Sequence, residues 1–137
     1  MPRVLGLDLG SRRIGVAVSS GTVATPHTLL ERAADQAADH AAIAALVDDL
    51  GVERVVVGLP LSLDGKMGPA ARAAADEAEA LGDVLAVPVE TYDERLTTVT
   101  ADRSLSSLGL SGQARRRVVD QVAAAVMLQA WLDRSRS

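Results

Sequence analysis

The sequence predicts a mixed α/β domain in which three antiparallel strands lead into two parallel ones, giving a five-stranded mixed sheet flanked by helices. Three features carry this expectation. Val4, Leu5, Leu7 and Leu9, then Ile14, Val16 and Val18, read as two neighbouring apolar strands joined by a Gly-Ser-Arg turn. Two Ala-rich stretches of helical periodicity then alternate with apolar runs, a pattern that implies parallel crossover connections. Finally, VVDQVAAAVMLQAWL near the end of the chain is apolar almost all round, as expected of a largely buried helix.

In chain order, RVLGLDL (3–9) and RIGVAVS (13–19) form the expected hairpin, and TVATPHTLL (22–30) adds a third strand whose Pro26 points to a sheet edge. Residues 35–50 (DQAADHAAIAALVDDL) read as a helix, with Gly51 as its stop. ERVVVGLP (53–60) is nearly continuous in apolar character, which suits a strand covered on both faces. LSLDGKMG (61–68) is a Gly-rich loop, and PAARAAADEAEAL (69–81) is a helix with Pro at a tolerated first-turn position. VLAVPVETY (84–92) is the fifth strand. Helices are expected over 96–108, with Thr97 or Thr98 as cap, and over 113–132.

The 137 residues suit one domain with its own core, expected to span residues 1–137. Hydrophobic residues make up 48% but aromatics only 1%, so that core must be built from Val, Leu, Ile and Ala. There is no cysteine, which excludes disulfides, thiolate nucleophiles and Cys-based zinc sites. Together with the lack of a signal-peptide pattern and of any apolar run near the ~20 residues that span a bilayer, this predicts a cytoplasmic protein without a membrane partner. At a net charge of -4 the molecule as a whole does not attract phosphate backbones, so nucleic acid would have to be met by local clusters. Arg12, Lys66, Arg95, Arg116 and Arg117 are the candidates for backbone contacts.

Three acids stand where apolar structure is expected or ends: Asp8 in the first strand, Glu94 (beside Asp93) after the fifth, and Asp120 in the last helix. Each would be costly if buried alone and ionised. If they converge, repulsion between unit charges about 4 Å apart adds roughly 4 kcal/mol at an effective dielectric of 20, and a divalent cation resolves it. Oxygen donors without Cys or paired His favour Mg²⁺ or Mn²⁺, the ions that commonly handle phosphate esters. Other readings exist for each acid: a strand-end hydrogen bond for Asp8, a partner in Arg95 for Glu94, and an ion pair with Arg116 or Arg117 for Asp120. His27 and His40 are expected to be structural or on the surface. Gly58, Pro60, Gly65 and Gly68 suit a backbone that approaches a ligand closely, and a simple tight connection explains them as well.

Four segments, LGLDLGSRRIGVAVS, VVVGLPLSLDGKMG, YDERLTT and VVDQVAAAVMLQAWL, in this order and at these separations, resemble the YqgF (RuvX) family of Holliday-junction resolvases, also described as pre-ribosomal-RNA nucleases. The resemblance covers nearly the whole chain. It implies an RNase H-like fold and a metal-dependent nuclease site in which Asp8 (from DLGS), Glu94 (from DERLTT) and Asp120 (from VVDQVAAA) are the catalytic and metal-binding acids. The implied substrates are the 5′ end of the small-subunit (16S) ribosomal RNA precursor and, through kinship with RuvC-type resolvases, branched DNA such as Holliday junctions. Monomer and homodimer both remain open, since a resolvase needs two symmetric sites and end trimming needs one. Two alternatives compete: a non-catalytic nucleic-acid or ribosome-assembly module, and a fragment of the actin-like ATPase and sugar kinase fold, whose first hairpin also carries an Asp-x-Gly-Ser/Thr turn.

Overall fold

The computed structural model describes residues 2–95 and 112–135; within the last helix, side chains are described at Val119 and from Val122 onward. The helix expected over 96–108 lies outside the described residues. Strands β1 (Val4–Leu9), β2 (Arg13–Ser20), β3 (Val23–Glu31), β4 (Arg54–Leu59) and β5 (Val89–Asp93) form one sheet in the order β3-β2-β1-β4-β5. β1 and β2 are antiparallel, as are β2 and β3, whereas β4 runs parallel to both β1 and β5. The expected five-stranded mixed sheet is therefore present.

Helix α1 (Gln36–Leu50) starts where Asp35 Oδ1 accepts the Ala38 amide at 2.8 Å and stops at Gly51, whose φ of 63° is the left-handed value that favours glycine. Helix α2 (Pro69–Val84) runs one turn past its expected end, and the fifth strand begins only at Val89. The segment 84–88 has the apolar composition of a strand, but Val84 closes the helix and 85–88 connect it to β5, where Pro88 cannot donate to a ladder. Helix α3 (Gly112–Ser135) extends a few residues beyond the 113–132 expected. Pro26 sits in β3, an edge strand, opposite Ala17 at a register shift.

Side chains on β1 alternate between two cores, as a period of two requires. Leu5 and Leu7, with Ile14, Val16, Val55 and Val57, meet Ile43 and Val47 of α1 and Ala78 and Leu81 of α2. Val4, with Ala17 and Val56, meets Ala124, Ala125, Met127, Leu128 and Leu132 of α3. A side chain at Gly6 would come within 2.9 Å of Leu128 Cβ, so glycine is what lets α3 lie this close to the sheet. By the same alternation Asp8 stands on the face that α3 covers. Burial of each Val or Leu contributes about 1.5–3 kcal/mol, which makes the centre of the sheet a rigid platform for whatever its strand ends carry.

Candidate active site

Strand β1 delivers Asp8 to the end of the sheet, where it pairs with Gly15 of β2. The chain then turns tightly: the Gly10 amide donates to the Asp8 carbonyl at 3.1 Å. A Cβ on Gly10 would stand 2.7 Å from the Arg13 carbonyl oxygen, so the turn needs glycine for clearance. Asp8 itself is half-buried.

The parallel pair β4 and β5 delivers Glu94 to the same end, since Leu59 pairs with Asp93 and the Glu94 amide donates to the Leu59 carbonyl at 3.2 Å. Glu94 is 8% exposed and folds back over β4, where a Cβ on Gly58 would overlap its Oε2. The space that a side chain at Gly58 would need is taken by this carboxylate. Burial, together with the negative charges of Asp8 and Asp93, pushes the Glu94 carboxyl up to about 7. The neighbouring Asp93 has the opposite fate: its Oδ2 accepts from Arg95 at 2.5 Å and 2.7 Å, and this pairing holds it below the usual carboxylate range. Of the two adjacent acids, one is paired outward and the other is turned inward.

Asp8 and Glu94 line one cleft of about 340 Å³ with Gly10, Ser11, Pro60 and the small side chains Ala70, Ala73 and Ala74 of α2. Arg32 and Glu77 complete the wall. Arg32 meets both Glu77 carboxylate oxygens, at 2.7 and 2.8 Å, and Asp39 at 3.1 Å, while His40 Nε2 lies 3.0 Å from Glu77 Oε2. Burial acts to raise Glu77 and Asp39, but their hydrogen bonds and the Arg32 charge outweigh it and hold both low. His40 is thus a structural histidine, as expected, and His27 is exposed. Arg32 and Glu77 were not singled out from the sequence. A signal existed for Glu77: it falls on the same helical stripe as Ala74, Ala78 and Leu81, where an acid is out of place.

The cationic candidates are placed differently from one another. Arg12 is exposed and follows the cleft-lining Ser11. Lys66 is exposed in a loop closed by Ser62 and Asp64, with the Lys66 amide donating to Asp64 Oδ1 at 3.0 Å. Arg95 is engaged by Asp93, and its Nη1 reaches the Leu63 carbonyl at 3.4 Å, tying that loop to the strand end that carries Glu94. Asp120, Arg116 and Arg117 lie on α3, but their side chains fall outside those described. Among the described residues, no group of three acid or histidine side chains is placed to hold a metal ion. The donor chemistry of the pair on view nevertheless fits a hard dication: two carboxylates, one deeply buried, each raising the energy of the other's charge.

The sequence pattern of a family described as "RuvX: Holliday junction resolvase" matches residues 2–134. The chain belongs to the RuvX family. Its relatives include a protein of Myxococcus xanthus, 47% identical over 135 residues that cover 98% of this chain and 89% of the relative. Another, from Anaeromyxobacter dehalogenans, is 48% identical over 135 residues and covers 96% and 97%. Both bear the name "Putative pre-16S rRNA nuclease". Among solved structures, Thermus thermophilus RuvC in complex with a Holliday junction substrate superposes with a TM-score of 0.61 over all of this chain and 98% of that one, at 17% identity. A second Thermus thermophilus RuvC structure gives 0.54 at 14% identity, covering 98% and 96%. That likeness shows the fold, and this member of the RuvX family is RNase H-like.

Proposed function

We propose that this protein is a cytoplasmic nuclease that uses a divalent cation, Mg²⁺ or Mn²⁺, held by Asp8, Glu94 and Asp120, to hydrolyse phosphodiester bonds in nucleic acid. The observation that carries the reading is the placing of Asp8 and Glu94, from strand ends distant in sequence, in one cleft of a RuvX family member. Such a cation, when bound, supplies Lewis-acid polarisation of a phosphoryl oxygen and neutralises charge that builds up in the transition state. The protein's share is positioning: Asp8 is fixed by the β1–β2 pairing and Glu94 by β4–β5. Without the cation, burial and the charges of Asp8 and Asp93 push the Glu94 carboxyl up to about 7, so a cation binding there competes with a proton. Arg12 and Lys66 are the exposed cations for phosphates on either side of the cut. In the hydrolysis the oxygen of water bonds to phosphorus, the bond from phosphorus to one sugar oxygen breaks, and that oxygen takes up a proton. The names of the relatives favour precursor 16S rRNA as substrate, with its 5′ end the expected place of cutting and branched DNA second.

The test compares wild type with Asp8→Asn on precursor 16S rRNA and on a four-way DNA junction, with Mg²⁺ or Mn²⁺ and then with chelator. Cleavage of the RNA should require the cation and fall more than about 100-fold in the variant, since even residues that merely support metal ligands are worth about 10–100-fold. Preference for the junction would transfer the activity to branched DNA. Wild type that binds RNA and cuts neither substrate, or Asp8→Asn that cuts equally well, overturns the nuclease reading in favour of an assembly module.

A further inference from the structure

An arginine in the wall of a nuclease cleft invites the role of phosphate ligand, but the hydrogen bonds of Arg32 point elsewhere. Its guanidinium donates four times into the protein: Nε to the Gly10 carbonyl at 2.9 Å, Nη1 to Asp39 at 3.1 Å and to Glu77 at 2.7 Å, and Nη2 to Glu77 at 2.8 Å. Glu77 and Asp39 are each 5% exposed, so two buried carboxylates already balance this cation. The backbone amide of Arg32 also donates to the Arg12 carbonyl at 2.9 Å. One residue just past β3 therefore grips two carbonyls of the turn that leaves Asp8, at Gly10 and at Arg12. Glu77 anchors that grip to α2.

We propose that Arg32, locked by Glu77 and Asp39, is a positioning residue that sets the β1–β2 turn and thereby the Asp8 carboxylate. This rests on the reading of Asp8 as a cation ligand. Buried ion pairs contribute little net stability compared with apolar packing of similar volume, and their best-attested use is to specify one geometry. Here that geometry is local. β1 is paired on both sides up to Leu7, but its β4 partner register ends there, leaving Asp8 and Leu9 paired with β2 alone. The clamp begins where that support is lost.

The experiment uses Arg32→Lys, which keeps the charge but cannot reproduce the forked pairing and the Gly10 bond together, with Asp8→Asn and wild type alongside. Arg54→Gln serves as a control that removes an Arg–Glu pair remote from the turn. Three quantities are read: Mn²⁺ affinity of the protein without substrate, thermal midpoint, and kcat and KM on a labelled oligonucleotide. Arg32→Lys should weaken Mn²⁺ binding and lower kcat by about 10-fold or more, with KM changed by less than about threefold. Arg54→Gln should leave Mn²⁺ affinity unchanged. A lower midpoint with unchanged Mn²⁺ affinity and kcat would make the clamp purely structural, and a raised KM at unchanged kcat would make Arg32 a substrate contact; either overturns the proposal. If Asp8→Asn leaves Mn²⁺ affinity intact, the cation-site reading fails; if only Arg32→Lys leaves it intact, the clamp alone fails. Should Arg32→Lys not fold, Glu77→Gln, which keeps an acceptor for Arg32, must shift Mn²⁺ affinity in the same direction, and no shift overturns the proposal.

Discussion

Glu77 and Glu94 are 5% and 8% exposed and line the same cleft, yet the first is held below the ordinary carboxylate range while the second is pushed up to about 7. Burial acts upward on both. What differs is the company: Arg32 and His40 against Glu77, Asp8 and Asp93 around Glu94. Repulsion among neighbouring carboxylates is relieved when a cation binds between them, which is what the proposed site requires. The acid paired with Arg32 holds the frame, and the negative charges around Glu94 suit the cation proposed there.

The sharpest way to break this contrast is to remove each acid in turn. Glu77→Ala should destabilise by about 1–3 kcal/mol, because it leaves the half-buried Arg32 with only Asp39 and the Gly10 carbonyl as acceptors, and denaturant unfolding would read the loss directly. Glu94→Gln should do the reverse in metal-free protein at pH 8, stabilising by up to about 3 kcal/mol, since the wild-type carboxyl is raised by some 2.5 units at about 1.4 kcal/mol each. Destabilisation in both variants would show that the two clusters are not opposites. Cleavage should be lost in Glu94→Gln in spite of the stability gained.

Solution pH sharpens the same distinction. Below about 4.5, Glu94 is protonated folded and unfolded, and contributes nothing to the difference. As pH rises toward 7 the unfolded chain ionises while the native state keeps its proton, so stability falls across this window and then levels off. Glu77 and Asp39 have lowered folded values, so their contribution is full above the ordinary carboxylate range and is lost as pH falls below about 4. Metal-free protein should therefore be most stable between these limits, near pH 4–5. Saturating Mn²⁺ should abolish the decline toward pH 7 and leave the acid limb in place. Thermal midpoints measured from pH 3 to 8 with and without Mn²⁺ check this, and a flat profile above pH 5 in the metal-free protein contradicts it.

Much of the molecule is legible in the sequence, for local physical reasons. The hairpin, the edge position of Pro26, the stop at Gly51 and the buried strand β4 each follow from a local rule acting on a few residues. The fifth strand was placed too early, because apolar composition at 84–88 does not distinguish a connection from a strand. Asp8 was conspicuous as a charge among Leu7 and Leu9. Periodicity alone does not choose between Asp93 and Glu94, and it is the family resemblance that points to Glu94; in the fold, the pairing of Asp93 with Arg95 and the clearance over Gly58 let Glu94 turn inward. Arg32 was hidden for a different reason: its partners are 7 and 45 residues away, and pairing at such distances leaves no period in the sequence.

Gly58→Ala gives the finest test, because it separates fold from site at one carbon atom. The added Cβ would overlap Glu94 Oε2 and come within 3.2 Å of its Cδ and 3.3 Å of Met127 Cγ. The first of these is the free end of a side chain that can swing aside, and the backbone at Gly58 has no positive φ to strain. The fold should therefore tolerate the change at about 1–2 kcal/mol, toward the lower end of what overfilled cores lose. Glu94, in contrast, must leave the position that defines the site, and a displacement near 1 Å can reduce a rate about 100-fold. Its carboxyl should also titrate closer to an ordinary glutamate once it is moved from its burial over β4. A variant with wild-type cleavage and a midpoint lowered by several degrees would mean that Gly58 serves packing against α3 instead of making room for Glu94.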